Sequence, residues 1–383
     1  MLSGLVPPCS GTPPWSNQLK KSIKNRGMAA ALTALAGLGL AHAETPSPRL
    51  TAAMQAEVVS TLGAKLDANY VFPDTAQRVA KALKADLASG KYARQDDAAA
   101  FAEALGQDLA RLGQDKHLRV RYDPDFRPEE EGEHVPSADE VSRARQQAEQ
   151  VAYGVFKVER LAGNIGYIDL RGFEEAYFAG PAYSSALSLL QGTQALILDL
   201  RRNGGGEPES VAFLMSHFFA PGDARHLNDI YTRNRNETRG YWTSGLPQVR
   251  YTRPVYVLTS ALTFSGGEEC AYDFQTQKRA TLIGDTTGGG ANPGTVFTLG
   301  HGLVAFIPTG RAINPITRTN WEHVGVKPDI AVPAEQALQV AYVQALKKRV
   351  AEATSERERT QLSALLARVE KGEAEKVDYG RRP

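Results

Sequence analysis

Disulfides are the first thing this chain lacks. Only two cysteines, Cys9 and Cys270, occur in 383 residues, which excludes a disulfide framework as the basis of the fold. No two histidines stand at the short spacing of a local metal site, so neither a metal nor a cofactor is expected. No charge of one sign dominates. The 44 bases against 43 acids leave a formal charge of +1, which implies no broad basic field for nucleic acid. No Gly-Lys-Ser/Thr follows the glycine-rich loops, which argues against a nucleotide phosphate cradle. The apolar run Met28–Leu40 is too short to span a bilayer comfortably, so no integral membrane segment is expected in the mature chain.

What surrounds that run gives it a different meaning. Lys20, Lys21, Lys24 and Arg26 precede it, and "AHA", Ala41–Ala43, follows as a small-x-small cleavage site. Residues 1–43 read as a secretory signal peptide, which places the mature protein in the periplasm or outside the cell. Its removal takes the formal charge from +1 to −3. Cys270 then remains as a lone thiol inside the helical pattern "EECAYDF", which suits a buried small hydrophobe better than a nucleophile.

The mature chain divides by period. Met54, Val58, Leu62 and Leu66 repeat every four residues, as do two further apolar series. One, Val79–Leu87, starts from an Asp74 cap; the other, Phe101–Leu112, starts from Asp96 or Asp97. Residues 48–114 therefore read as a three-helix unit. In "DKHLRVRY", Leu118, Val120 and Tyr122 alternate with His117, Arg119 and Arg121, a short two-faced strand. It opens a segment, 115–150, that continues as a charged linker with room for a solvated helix. From residue 151 to about 340 strands and helices alternate, which predicts an α/β core. Residues 341–383 read as a helical tail.

Two loops carry candidate chemistry. In "LTSALTFSGGEE", Ser265 stands at a strand-to-helix turn, followed by Gly266 and Gly267. The first amides of a helix carry partial positive charge, and glycine lets a carbonyl approach them. That is the geometry of an oxyanion hole. The same stretch also fits a plain capping box, with Ser265 as the cap and Glu268 at its third position. In "LILDLRRNGGG" a strand ends on Asn203-Gly204-Gly205-Gly206, a turn able to present a second amide. A serine nucleophile needs a base. His117, with Asp115 two residues back on the same strand face, is one candidate; a surface histidine fits the same spacing. His217, in "MSHFF", fits a satisfied core group.

Five stretches, in order, resemble the tail-specific or C-terminal-processing serine peptidases of family S41. They are "GNIGYIDLRGF", "ALILDLRRNGGGEPES", "PVYVLTSALTFSGGEECAYDFQ", "GDTTGGGANPG" and "NWEHVGVKPDI". The likeness is strongest to the branch holding the tricorn core protease and the interphotoreceptor retinoid-binding modules. The resemblance implies a crotonase-like α/β core with a small N-terminal helical domain. It implies Ser265 as nucleophile, His117 as base, Glu322 as supporting acid, and oxyanion amides at Gly266 and at Gly204 or Gly205. It implies a peptide or protein substrate. The lysine base of the processing branch falls on Gly290, which rules out a serine–lysine dyad.

Three departures go with it. Lys116 stands where the tricorn branch has a serine, leaving Asp115 or a water to orient the imidazole. His323 replaces the glycine after the supporting glutamate. Only about 30 residues separate the His117 strand from the core, against the ~50–200 of an ordinary domain, so capture of substrate by an inserted PDZ domain is not expected. The competing reading is a non-catalytic binder of apolar ligands, or an envelope adaptor, on the same fold.

Overall fold

The computed structural model describes residues 47–127 and 137–373. The signal-peptide expectation for residues 1–43 lies outside them. Helices α1 (Ala52–Asn69), α2 (Pro73–Ala88) and α3 (Ala98–Gly113) form the N-terminal unit. Thr51 caps α1 by accepting from the Met54 N–H, and Asp97 caps α3 by accepting from the Ala100 N–H. Asp74 is not the cap of α2. Pro73 takes the first helical position, where its missing N–H is not needed, and Asp74 sits in the first turn beside the positive end of the dipole.

These helices do not close a core alone. Strand β1 (Arg119–Tyr122) pairs antiparallel with β10 (Leu303–Pro308), which pairs with β9 (Gly294–Gly300). Alternation splits the sheet's faces. Leu118, Val120, Leu303, Ala305 and Ile307 join the apolar cluster of α1–α3. On the other face Arg119 stands opposite Phe306 and Arg121 opposite Val304. The strand that follows the candidate base is thus packed on the helical unit by one face and paired with β10 along its edge. The linker's expected helix is present as α4 (Ala138–Gln150), closed by a Ser137/Glu140 capping box.

The central sheet has the order β12-β8-β7-β4-β3-β2. Its strands are β2 (Val155–Leu161), β3 (Ile165–Leu170), β4 (Ala195–Asp199), β7 (Val255–Thr259), β8 (Thr281–Gly284) and β12 (Ile330–Ala331). Only β2 runs antiparallel to its neighbour. Strands β4 and β7 are buried along their whole length, as the unbroken apolar runs "ALILD" and "VYVLT" require of a sheet covered on both sides. On one face lie α5 (Ala176–Leu190), α6 (Pro208–Ser216) and α7 (Gly266–Thr276). On the other lie α8 (Ala334–Glu352) and α9 (Glu356–Glu370). The expected boundary between core and tail, 340/341, falls inside α8. Ala337, Ala341, Ala345 and Leu346 pack on Ile165, Ile197 and Tyr256, so the helix is a layer of the core rather than a tail. A third small sheet, β11-β5-β6, joins Gly310–Ile313, His226–Thr232 and Glu237–Trp242. It had no clear sequence signal, because β6 exposes five of its six residues and carries no apolar alternation.

Strands β4 and β7 are parallel neighbours. Their carboxyl ends therefore lie side by side, where open α/β sheets place their ligands. One end leads into Asn203–Gly206 and the other into Ser265.

Helix α7 carries a polar exception to the core. Glu269 and Asp273, one turn apart, are 4% and 1% exposed. Glu269 Oε1 and both Asp273 carboxyl oxygens have no hydrogen-bond partner among the described residues. Burial pushes Glu269 up to about 8; burial and then the Glu269 charge push Asp273 up as well. Both folded-state values lie above the unfolded ones. The stability they permit is therefore complete below the ordinary carboxylate range and is lost as pH rises towards 8. Glu269→Gln, neutral at every pH, should raise the melting temperature by about 1–3 °C at pH 8, the scale of about 1–2 kcal/mol in a chain of this size. The gain should shrink steadily towards pH 4.5. A gain that is the same across thermal melts at pH 5, 6.5 and 8 would contradict the buried-acid account.

Candidate active site

The turn at Ser265 is strained. Its φ is 51° and its ψ is −120°, a region a side-chain-bearing residue enters at a cost of about 1–3 kcal/mol. Packing holds it there. The Phe264 N–H donates to Asn203 O at 2.9 Å, tying the turn to the glycine loop after β4. The glycines of the two loops interlock. A Cβ on Gly205 would lie 2.8 Å from Ser265 Cβ, and one on Gly267 would lie 2.7 Å from Asn203 Oδ1. A Cβ on Gly266 would meet Gly206 O at 2.9 Å and Gly206 N at 3.1 Å. Glycine is required on both sides because the two backbones touch.

The Glu268 side chain fixes a third segment to the same turn. Its residue is fully buried. Oε2 accepts from the Ser265 N–H at 2.9 Å and the Gly290 N–H at 2.8 Å. Oε1 accepts from the Gly289 N–H at 2.6 Å and the Thr287 hydroxyl at 2.5 Å. Burial pushes this carboxyl up while the four donors pull it back down. The capping residue is thus a junction between the Ser265 turn and the loop "TTGGG".

The candidate base lies against that junction. His117 is 4% exposed. Its ring is 4.6 Å from the Phe264 ring and 6.0 Å from Phe306, centroid to centroid. A Cβ on Gly290 would lie 2.7 Å from His117 Cε1 and 2.4 Å from Phe264 Cζ. Asp115 Oδ1 is 3.6 Å from His117 Nδ1 and accepts from the His117 backbone N–H at 2.9 Å. Asp115 Oδ2 accepts from Asn292 Nδ2 at 2.9 Å and the Tyr70 hydroxyl at 3.2 Å. Burial alone would raise Asp115; the His117 imidazole and the Asn292 amide outweigh it and hold the carboxyl below its usual range. Glu322 comes from the far end of the core, with Oε2 accepting from the Ala291 N–H at 2.5 Å. Burial and then the Asp115 charge push Glu322 up to about 8. One potential donor atom each of Asp115, His117 and Glu322 lies within 4.8 Å of the others.

The structure brings Asp115, His117 and Glu322 into one cluster and sets Ser265 beside it through Phe264, Gly290 and Glu268. Neither ring nitrogen of His117 has a hydrogen-bond partner among the described residues, so Ser265 and His117 are not hydrogen-bonded in the free protein. Gly204 and Gly205 are corrected as amide donors. The Gly204 N–H donates to Arg171 O at 3.1 Å and the Gly205 N–H to Asn203 Oδ1 at 2.9 Å; both are committed inside their own loop. Gly206, like Gly205, packs its backbone against Gly266. His217 is the satisfied core group expected, with Nδ1 at 3.1 Å from Phe213 O and Nε2 at 2.9 Å from the Ser184 hydroxyl. Cys270 is fully buried, and burial holds its thiol well above its usual range.

Tyr70, Asn292 and Phe264 escaped the sequence reading, since their roles depend on contacts across the fold. Glu268 carried a signal, the capping-box spacing, but that spacing names only one of its four donors. Glu268→Gln would turn an NH₂ towards donors that need an acceptor. It should cost roughly 2–4 kcal/mol in urea unfolding, since buried donors left unpaired cost about 1–3 kcal/mol each. A loss under about 0.5 kcal/mol would refute the junction role.

Comparison with known proteins bears on the family and the fold. The profile of peptidase family S41 matches residues 164–332, and that of the N-terminal domain of Peptidase_S41 in eukaryotic IRBP matches residues 49–161. Carboxyl-terminal-processing peptidase 2, chloroplastic, of Arabidopsis thaliana is 31% identical over 178 residues, 44% of this chain and 32% of that protein. The carboxy-terminal-processing protease of Bartonella bacilliformis is 27% identical over 190 residues, 48% of this chain and 42% of that protein. The chain thus spans less than half the length of these relatives. A solved Parabacteroides merdae structure superimposes with a TM-score of 0.53 at 19% identity, over 76% of this chain and 96% of that one. Mature CPAF complexed with lactacystin does so with a TM-score of 0.52 at 12% identity, over 84% and 99%. At such identities the two structures bear on the fold alone. With both family profiles matched in chain order and residues 49–332 covered but for two, the chain belongs to the S41 peptidase family.

Proposed function

We propose that this protein is an exported serine endopeptidase that cleaves peptides or proteins through an acyl-enzyme on Ser265. The observation that carries the reading is the cluster of Asp115, His117 and Glu322 packed against the residue that precedes a strained serine. A pure ligand carrier needs neither the strain nor the cluster. His117 takes the Ser265 hydroxyl proton as Oγ bonds to the substrate carbonyl carbon. The carbonyl oxygen becomes an oxyanion. The Gly266 N–H, an orphan donor at the first position of α7, and the Gly206 N–H hold it. The C–N bond then breaks, and the leaving amine takes the proton from His117. Water repeats the sequence and releases the acid, regenerating Ser265.

The ionised Asp115 beside Nδ1 orients the ring, the work that a serine at position 116 does in the tricorn branch. Glu322, largely protonated at neutral pH, supports it as a neutral acid. Ser265 and His117 come into hydrogen-bond reach when substrate fills the site, since hydrogen bonds of this kind tighten on binding. The leader expected over residues 1–43 supports a periplasmic or secreted location.

Fluorophosphonate labelling of the purified protein tests the mechanism. Wild type should label and Ser265→Ala should not. His117→Ala should label about 10²–10⁴-fold more slowly, the usual contribution of a general base. Labelling of Ser265→Ala at the wild-type rate would sink the proposal, and complete inertness of wild type would favour the apolar-ligand or adaptor reading.

Gly290→Ala tests the packing of the base independently. Its methyl would enter the Phe264 and His117 rings, so labelling should slow by at least about 10-fold, the rate equivalent of a 1.4 kcal/mol misplacement. Gly192→Ala, with nothing within 4 Å of its new methyl, should leave the rate unchanged. Equal rates in the two variants would show that the ring is not held as described.

A further inference from the structure

The same cluster has open valences that hydrolysis alone does not explain. Both ring nitrogens of His117 and the Oε1 of Glu322 are buried without a partner among the described residues. The Glu322 side chain is pinned by its other oxygen to the Ala291 N–H, so Oε1 is held in place and unengaged. His323 Nδ1 lies 3.7 Å from that Oε1, on a side chain 60% exposed and therefore able to turn inward. Lys116, the nearest cation in sequence, does not fill the gap; its Nζ donates to Gly288 O. Asp115 is fixed from the other side by Tyr70 and Asn292.

We infer that Asp115, His117, Glu322 and His323 form a site for a divalent transition-metal ion, Zn²⁺ above all, whose occupancy withdraws His117. Two imidazoles and two carboxylates are a borderline donor set suited to Zn²⁺ rather than to Mg²⁺ or Ca²⁺, which take oxygen alone. Four tetrahedral ligands at about 2.0–2.2 Å stand roughly 3.5 Å from one another. The donor atoms of Asp115, His117 and Glu322 already lie within 4.8 Å of one another, so side-chain shifts of about 1 Å bring these three to ligand spacing, and the exposed His323 ring turns in as the fourth ligand. Binding displaces the Glu322 proton, after which the charge of the ion matches that of the two carboxylates. Carboxylate donors held by hydrogen bonds of their own, as Asp115 and Glu322 are, give a metal site its rigidity. Ligation takes a lone pair from the imidazole that would otherwise accept the serine proton, so the bound ion is an inhibitor.

Binding does not depend on the peptidase reading; inhibition does. The test therefore begins with Ser265→Ala protein, titrated with ZnCl₂ in competition with a chromophoric zinc chelator. One Zn²⁺ per chain is expected. Adding His117→Ala or Glu322→Gln should weaken it by about 10–100-fold, and the exposed His323→Ala, which cannot unfold the core, by a smaller factor. His226→Ala should change nothing, although His226 also faces a carboxylate, Asp229, at 2.7 Å. In wild type, Zn²⁺ should block fluorophosphonate labelling and a chelator should restore it. Absence of stoichiometric binding, or binding indifferent to both His117→Ala and His323→Ala, overturns the site. Tight binding that leaves labelling untouched overturns the inhibition, and with it the assignment of His117 as base, while the metal site stands.

Discussion

One buried carboxylate organises the active end of this molecule. Glu268 accepts four hydrogen bonds, from Ser265, Thr287, Gly289 and Gly290. Without it, three amides and a hydroxyl would face an apolar interior unpaired. With it, the strand-to-helix turn and the glycine loop after β8 are held at a fixed separation. Everything nearby inherits that separation. Gly290 is brought against Phe264 and His117, and Ala291, next in the loop, presents its N–H to Glu322. The His117 cluster and the Ser265 turn are positioned through this one side chain.

The architecture was readable where its cause is local. Uniformly apolar runs marked β4 and β7, and four-residue repeats marked α1 to α3, because burial on two faces or on one stripe leaves a periodic trace. The small sheet of β5, β6 and β11 left none, since β6 is largely solvated. The division at residue 340 misled for a related reason. Helix α8 buries only a narrow stripe of alanines with Leu346, so its sequence looks like a solvated tail although it covers the back of the sheet.

The site was legible in proportion to how local each contact is. Ser265, His117 and Glu322 stood out through the family resemblance. Asp115 stood out through its spacing from His117. In the glycine loop after β4 the expected amides, Gly204 and Gly205, are taken by Arg171 O and Asn203 Oδ1, contacts that the local sequence does not reveal. No two histidines stand close enough in sequence to mark a cation site. The cluster of Asp115, His117 and Glu322 spans more than half the chain, and no spacing rule reaches that far.

The glycine at position 290 carries the last step. Read as a sequence, it is a lost lysine base. Read in the fold, it is a condition for the placement of His117. Its Cα is so close to both aromatic rings that even a methyl group would lie 2.4–2.7 Å from Phe264 and His117, well inside the 3.5–4.0 Å of comfortable carbon contact. A lysine stem there would have to displace the imidazole, Phe264 or both. A lysine stem in this loop and the His117 imidazole therefore compete for one volume. With a histidine brought in by the turn before β1, this chain must keep glycine in the loop.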